Sequence, residues 1–518
     1  MRKIIFLVMF LGIASNGIQL FATESKNKKD FRDETIYFLL TDRFVDGDPS
    51  NNNIYGDEYL PGNLRYYQGG DFKGLIENLD YIRDMGFTAI WITPPVRQPE
   101  GRYVNSSRTY DAAPYHGYWA YDFSSIDPHL ESPGAKYQDL INAAHAKGIK
   151  VIQDIVVNHG HGGDVSNDVK WYRDRGVAKG LGKTFDYWDD KYDWYNHDGR
   201  SLVDLLDFKD SNPKVLKWFS DIYGKYQKMG VDGFRLDTVT WVDRPFWKGF
   251  LKNLHRNKKD FFVFGEVWTE NDYEMLSSYT WLEEGDAMNN GMSVLDMPSS
   301  ALGNKRIMDS VFKGGDYTEA AGIFANDNMF QDPTYLVTFL DNHDKPRFNS
   351  PDSPAYEQQY KDALNFYFLS RGIPCVYYGT ELQMLGGNEP DNRAVLGKDG
   401  INAAKANAIY SHIKKLNGIR HGTGNGNEVI RKGRQTILST TRNGIVFRRD
   451  YNGKTVYVFL NKGEIELNME ADLPAREYKD LFNGNTVIFA EGQTNKAVTV
   501  PEHGAVVLYA EPGDQAAK

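Results

Sequence analysis

The stretch Met229-Gly-Val-Asp-Gly-Phe-Arg-Leu-Asp237 ends one helical pattern, turns on a glycine and starts an apolar run that stops at a carboxylate. A strand has period two, so Gly233, Arg235 and Asp237 share one face while Phe234 and Leu236 point the other way. The arginine therefore lies beside the aspartate. The same ending recurs in Phe261-Phe-Val-Phe-Gly-Glu-Val-Trp268, where the acid is Glu266, and in Tyr335-Leu-Val-Thr-Phe-Leu-Asp-Asn-His-Asp344. One such acid alone reads as a loop-starting residue in a surface ion pair. Three, with Arg235 and two histidines nearby, read as a site.

The helix-glycine-strand punctuation repeats at Met85-Gly86-Phe87 and Lys147-Gly148-Ile149, as expected of successive βα units. Eight apolar runs are marked: Ile36 to Leu40, Ala89 to Ile92, Val151 to Val157, Val231 to Leu236, Phe261 to Val267, Ser293 to Leu295, Leu336 to Leu340 and Pro374 to Tyr378. Several are almost continuously hydrophobic, as strands buried on both faces should be. Helical spacing of apolar residues covers Leu75 to Met85, Tyr137 to Ala146, Pro213 to Met229 and Tyr360 to Leu369. The pattern predicts an α/β protein built on a (β/α)8 TIM barrel, whose active site lies at the carboxyl ends of the strands.

Two segments break the rhythm. Residues 158–212 are rich in Gly, Asp, Trp and Tyr without a long period, and predict a small inserted domain after the third strand. From about residue 423 to 511, short alternating strands such as Gly444 to Arg449, Thr455 to Leu460 and Ala505 to Tyr509 predict a C-terminal antiparallel β-sandwich, followed by a tail at 512–518. The barrel then comprises residues 23–157 and 213–422.

Residues 1–22 read as a signal peptide: Arg2 and Lys3, an apolar run from Ile4 to Ala14, and small or polar residues up to Ala22. That run is too short to span a bilayer, and no later one reaches about eighteen apolar residues. A secreted or periplasmic protein with no membrane segment is expected. Cys375 is the single cysteine; it excludes a disulfide framework and sits mid-strand where a small buried hydrophobe fits. The net charge of −10 and the lack of a long Lys/Arg run argue against nucleic acid.

Asp46-Gly-Asp48-Pro-Ser-Asn51-Asn52 gathers four oxygen side chains around a glycine turn. It suits a hard cation such as calcium, and reads equally as an Asx-rich turn.

Five blocks in order, Asp154-Ile-Val-Val-Asn-His159, Ser201-Leu-Val-Asp-Leu205, Gly233 to Asp237, Gly265-Glu266-Val-Trp and Phe339 to Asp344, make the chain similar to the α-amylase family of glycoside hydrolases, from about residue 31 to 511. The resemblance implies a starch- or maltooligosaccharide-cleaving enzyme with Asp237 as nucleophile, Glu266 as general acid/base and Asp344 as the third carboxylate. It implies sugar contacts at Tyr118, within Tyr115-His-Gly-Tyr-Trp119, and at His159, Arg235 and His343. Glu389 and Arg393, in Glu389-Pro-Asp-Asn-Arg393, would hold the donor side. Asp154 would support the site from behind.

The resemblance also implies calcium. Asp46, Asp48, Asn51 and Asn52 would be joined by Gly69 and Asp71, and a second ion would take Asn158, Asp204 and the carbonyl of Trp241. Where relatives read Lys-His after the nucleophile, this chain has Thr240-Trp241, so Trp241 is expected to offer a stacking surface to the acceptor instead. Hydrolysis of α-1,4 bonds by a monomer is the expected activity. An α-1,4-glucan transglycosylase, a cyclodextrin- or pullulan-degrading relative and a non-catalytic glucan-binding protein are the alternatives. The absence of a starch-binding domain after residue 511 and of an N-terminal dimerisation domain favours the hydrolase.

Overall fold

The computed structural model describes residues 30–104, 110–161, 195–196, 202, 205–269, 272–281, 292–300, 307–493 and 496–511. The expected signal peptide, most of the expected inserted domain and the tail lie outside them.

Eight parallel strands form the barrel: β1 (Ile36–Leu39), β2 (Ala89–Ile92), β3 (Lys150–Ile155), β4 (Gly233–Leu236), β5 (Phe262–Gly265), β6 (Ser293–Val294), β7 (Val337–Phe339) and β8 (Ile373–Tyr377). Their order is β6-β5-β4-β3-β2-β1-β8-β7, and a parallel bridge between Leu295 and Val337 closes the ring. Every expected apolar run supplies one of these strands. The interior is packed, not hollow: Phe38 stacks on Trp91 with centroids 3.7 Å apart, and Trp91 meets Phe264 edge-on at 5.5 Å.

The helix Pro213–Met229 shows how a βα unit is punctuated. Asn212 caps it by accepting from Lys214 N, and proline stands in its first turn, where a missing N–H costs nothing. Val215, Phe219, Ile222, Tyr223 and Tyr226 form its buried stripe. It stops at Gly230, whose φ of +113° only glycine adopts freely. A Cβ there would also sit 3.1 Å from Ile141 Cγ2. The Leu75 to Met85 pattern is interrupted: Asn78, whose side chain donates to Gly74 O, separates helices Phe72–Glu77 and Leu79–Asp84.

After the barrel, a helix at Asn425–Lys432 precedes the first C-terminal strand. The strands β9 (Arg434–Thr440), β10 (Gly444–Tyr451), β11 (Lys454–Asn461), β12 (Leu467–Glu470), β13 (Arg476–Asp480), β14 (Thr486–Phe489), β15 (Ala497–Val500) and β16 (Gly504–Tyr509) follow. Six make one antiparallel sheet, β9-β10-β11-β16-β13-β14, and β12 pairs with β15. Alternation divides the sheet between two cores. Val446, Phe459, Val506 and Leu508 pack with Met469, Val498 and Val500 of the two-stranded pair. Ile445, Phe447, Val458 and Val507 instead join the barrel's core. Arg449 fixes the junction, donating to Leu369 O at 2.8 Å.

Candidate active site

Register builds the site. β4 pairs with β3 so that Arg235 is opposite Asp154, and with β5 so that Leu236 is opposite Gly265. The ladder continues one step past the strand ends, through Asp237 N to Ile155 O (3.0 Å) and Glu266 N to Leu236 O (2.8 Å). Both acids are thereby fixed by backbone hydrogen bonds at the carboxyl edge of the barrel.

Arg235 is fully buried and joins three carboxylates. Its Nη1 donates to Asp237 Oδ1 at 2.7 Å and to Asp154 Oδ1 at 3.0 Å. Its Nη2 lies 2.8 Å from Glu266 Oε1, off hydrogen-bond alignment. Asp154 is a hub behind the site, also accepting from Tyr118 Oη (2.8 Å) and Trp91 Nε1 (3.1 Å). Burial pushes Asp154 up to about 7 against the pull of Arg235.

Glu266 is raised to about 8. Burial is the largest cause and the charges of Asp237 and Asp344 add to it, while Arg235 opposes them. Its Oε2 accepts from Thr238 N at 3.1 Å. Thr238 reaches it through a left-handed backbone, φ +49°, a conformation costly for a β-branched residue and characteristic of functional sites. Asp344 is also raised by burial; Arg393 Nη2 and His343 Nε2 stand 3.6 and 3.4 Å from its Oδ1. Burial holds His159, His343 and His116 below the ordinary histidine range, so these rings face the cleft neutral. His343 stacks on Tyr118, centroids 5.3 Å apart.

These groups open into one cleft of about 600 Å³ lined by Tyr118, His159, Asp237, Glu266, His343, Asp344, Glu389 and Arg393. Eight residues expected from sequence therefore share one wall system, with Arg235 beneath it. Arg393 reaches Glu389 Oε1 at 2.7 Å and anchors on His343 O at 2.9 Å. Trp241 is not among the lining residues and is 43% exposed. Tyr103, Tyr110, His116, Trp119, His161 and Trp268 also line the cleft. Sequence reasoning did not assign them; His116, Trp119 and Trp268 sit inside quoted blocks, whereas Tyr103 and Tyr110 carry no local signal.

The Asp46 loop has a different chemistry. Asp46 Oδ1, Asn51 Oδ1 and Asn52 Oδ1 are buried and accept no hydrogen bond. Asn52 Nδ2 donates to Asp46 Oδ2 at 2.7 Å. Gly69, at φ +92°, comes so near that a Cβ would lie 2.5 Å from Asn52 Nδ2. Asp71 Oδ1 accepts from Gly47 N and Gly74 N, and Oδ2 from Asn51 Nδ2 at 3.4 Å. Asp48 caps the following turn by accepting from Ser50 N. Three buried acceptors without donors fit a hard, oxygen-seeking cation. Among the described residues no cluster of three His, Cys, Asp or Glu could hold a metal, so amide oxygens are needed. At the second implied position, Asn158 Nδ2 contacts His159 Nδ1 at 3.2 Å; Asp204 lies outside the described residues.

Residues 38–421 match the family model for the α-amylase catalytic domain, and residues 438–516 that for the α-amylase C-terminal all-beta domain. A cyclomaltodextrin glucanotransferase of Bacillus sp. (strain 6.6.3) is 31% identical over 523 residues, covering 93% of this chain and 67% of that protein. The solved cyclomaltodextrin glucanotransferase CldA, described as having a three-domain ABC distribution, superposes with TM-score 0.78 at 29% identity, over 92% of this chain and 99% of its own. An Anoxybacillus α-amylase superposes with TM-score 0.74 at 26% identity, over 94% and 100%. With the barrel, the strand-end carboxylates and these likenesses together, the chain belongs to the α-amylase family of glycoside hydrolases.

Proposed function

We propose that this chain is a retaining α-glucosidic hydrolase of the α-amylase type, cutting α-1,4 bonds of starch or maltooligosaccharides. The observation that carries the reading is the shared guanidinium: Asp237 and Glu266 touch the two ends of Arg235, so the carboxyls are neighbours, as a double-displacement mechanism requires. Burial keeps Glu266 protonated at neutral pH. It gives its proton to the leaving glycosidic oxygen while a carboxylate oxygen of Asp237 bonds the anomeric carbon. Glu266, now ionised, takes the proton of an incoming water, whose oxygen bonds the same carbon and releases Asp237. Asp344 and the neutral His343 and His159 bind sugar hydroxyls, and Tyr118 offers its ring to a pyranose face.

The Asp46 loop would hold calcium through Asp46, Asn51 and Asn52, with Gly69 and Asp71 closing it; the ion would supply cross-linking charge to the loop. Secretion or periplasmic export of a monomer accompanies this reading. The test is maltoheptaose cleavage followed by NMR. Release of the α-anomer first, lost in Asp237→Asn, is expected; the β-anomer, or near-normal activity of Asp237→Asn, overturns the proposal.

Transglycosylation is the second reading, supported by the glucanotransferase relatives. Domain count does not separate the two readings, because CldA has a three-domain ABC distribution. Cyclic or lengthened products from maltoheptaose would favour transfer.

A further inference from the structure

We propose that the groove between the helices Pro213–Met229 and Arg244–Asn257 is a binding site, separate from the cleft, for a chain of phosphodiester-linked acyclic polyols. Its volume of about 610 Å³ matches that of the cleft. Ser220, Gly224, Asn253 and Asn257 make its floor. A Cβ on Gly224 would stand 3.3 Å from Asn257 Nδ2, so a larger residue would crowd that floor. Lys217, Lys225, Lys228 and Arg256 form exposed walls. Against these cations the groove sets one carboxylate, Asp221, which already pairs with Lys217. Lys225, Lys228 and Arg256 make no ion pair with a described carboxylate. Elsewhere on the outer helices lysines are paired: Lys147 with Asp80, Lys361 with Glu357 and Lys414 with Asp84. On a chain of net charge −10, an unpaired cationic groove is the exception and selects an anion.

Ammonium and guanidinium groups donate and never accept, and the floor amides donate as well, so the ligand is rich in acceptors. Lys217 and Lys228 lie about 16 Å apart along the helix axis. Charge strung out over that length suits repeating phosphates, not a single ion. Among the described residues no aromatic side chain lines the groove, so nucleic-acid bases have nothing to stack on and pyranose faces, neutral or uronate, find no platform. An acyclic phosphate chain needs neither. Each of the two helices precedes its strand, β4 or β5, so their last turns lie at the amino edge of the barrel, opposite Asp237 and Glu266. A polymer held there leaves the cleft open. Lys228 and Arg256 also offset the carbonyls at their helix ends, but that role calls for neither Lys225 nor a cavity beside it.

Fluorescence anisotropy of a short end-labelled poly(glycerol phosphate), titrated with the full chain at low ionic strength, tests the site. The wild-type protein should bind, its log affinity falling against log salt with a slope of about two, as three phosphate contacts on a flexible chain give. Lys225→Glu combined with Arg256→Glu should weaken binding about tenfold and flatten that slope, with maltoheptaose cleavage unchanged. The neutral pair Lys225→Gln and Arg256→Gln should move the same way by a smaller factor. Lys361→Glu combined with Lys414→Glu alters the net charge equally on other helices and should leave the affinity as it was. No binding by the wild-type protein, equal weakening in the two reversal pairs, or equally tight binding of an oligodeoxynucleotide or polygalacturonate of matched charge overturns the inference. So does a fall in cleavage by the groove pair, which would tie the groove to the cleft. Binding is read without catalysis, so its failure leaves the assignment of the cleft intact.

Discussion

Two acidic regions of this molecule solve the problem of buried oxygen atoms in opposite ways. Around Arg235, three carboxylates surround a cation that the chain itself provides. In the Asp46 to Asp71 loop, three buried acceptor oxygens have no donor and no side-chain cation. The Arg235 region thus carries its own countercharge. If the loop holds the proposed calcium, its stability should depend on what the solvent offers.

Replacing the groups of the proposed catalytic centre should separate rate from stability most sharply. Glu266→Gln keeps the shape and removes the transferable proton, so kcat should drop by about 10²–10⁴ without a loss of melting temperature. Arg235→Met should cost both. It leaves Asp154, Asp237 and Glu266 buried without their cation, and breaking such an arrangement destabilises by about 3–5 kcal/mol. Urea unfolding measures the loss; a Met variant as stable as the parent would show that solvent, not Arg235, balances the cluster.

The loop should respond to calcium instead. With the ion at a hundredfold excess over its Kd, binding to the folded state stabilises by about 2.7 kcal/mol. Chelation should lower the melting temperature accordingly, and Asp46→Ala should abolish the response. Arg235→Met should retain the full calcium response. If calcium rescued that variant, the two regions would be energetically coupled and the contrast between them would fail.

The contrast also explains what sequence could reveal. The barrel is legible because buried parallel strands are almost uniformly apolar and because Gly86, Gly148 and Gly230 all take positive φ at the turns before them. Strand-end acids are legible for the same reason, since Asp237, Glu266 and Asp344 interrupt such runs. Contacts that depend on register are not: Asp154 meets Arg235 only because β3 and β4 align those two residues. Lys345 over Trp268 joins two strand ends that no local pattern connects. The break at Asn78 and the helix Asn425–Lys432 escaped because a hydrophobic period survives a one-residue interruption and eight residues barely establish one.

The smallest effect concerns which influence wins at Glu266. Arg235 favours the charged form, whereas burial and the two neighbouring acids favour the neutral one, and the latter prevail, raising the group from 4.5 to about 8. A raised carboxyl binds a proton in the folded state that the unfolded chain has already released. Its contribution to stability is therefore complete below pH 4.5 and disappears as pH climbs through about 8. Melting temperatures of the wild-type enzyme and Glu266→Gln, compared across that window, should diverge with the wild type losing ground as pH rises, and activity should fall on the alkaline side near pH 8. A constant difference between the two curves would mean that Arg235 governs Glu266 after all, and that the proton used in catalysis is held elsewhere.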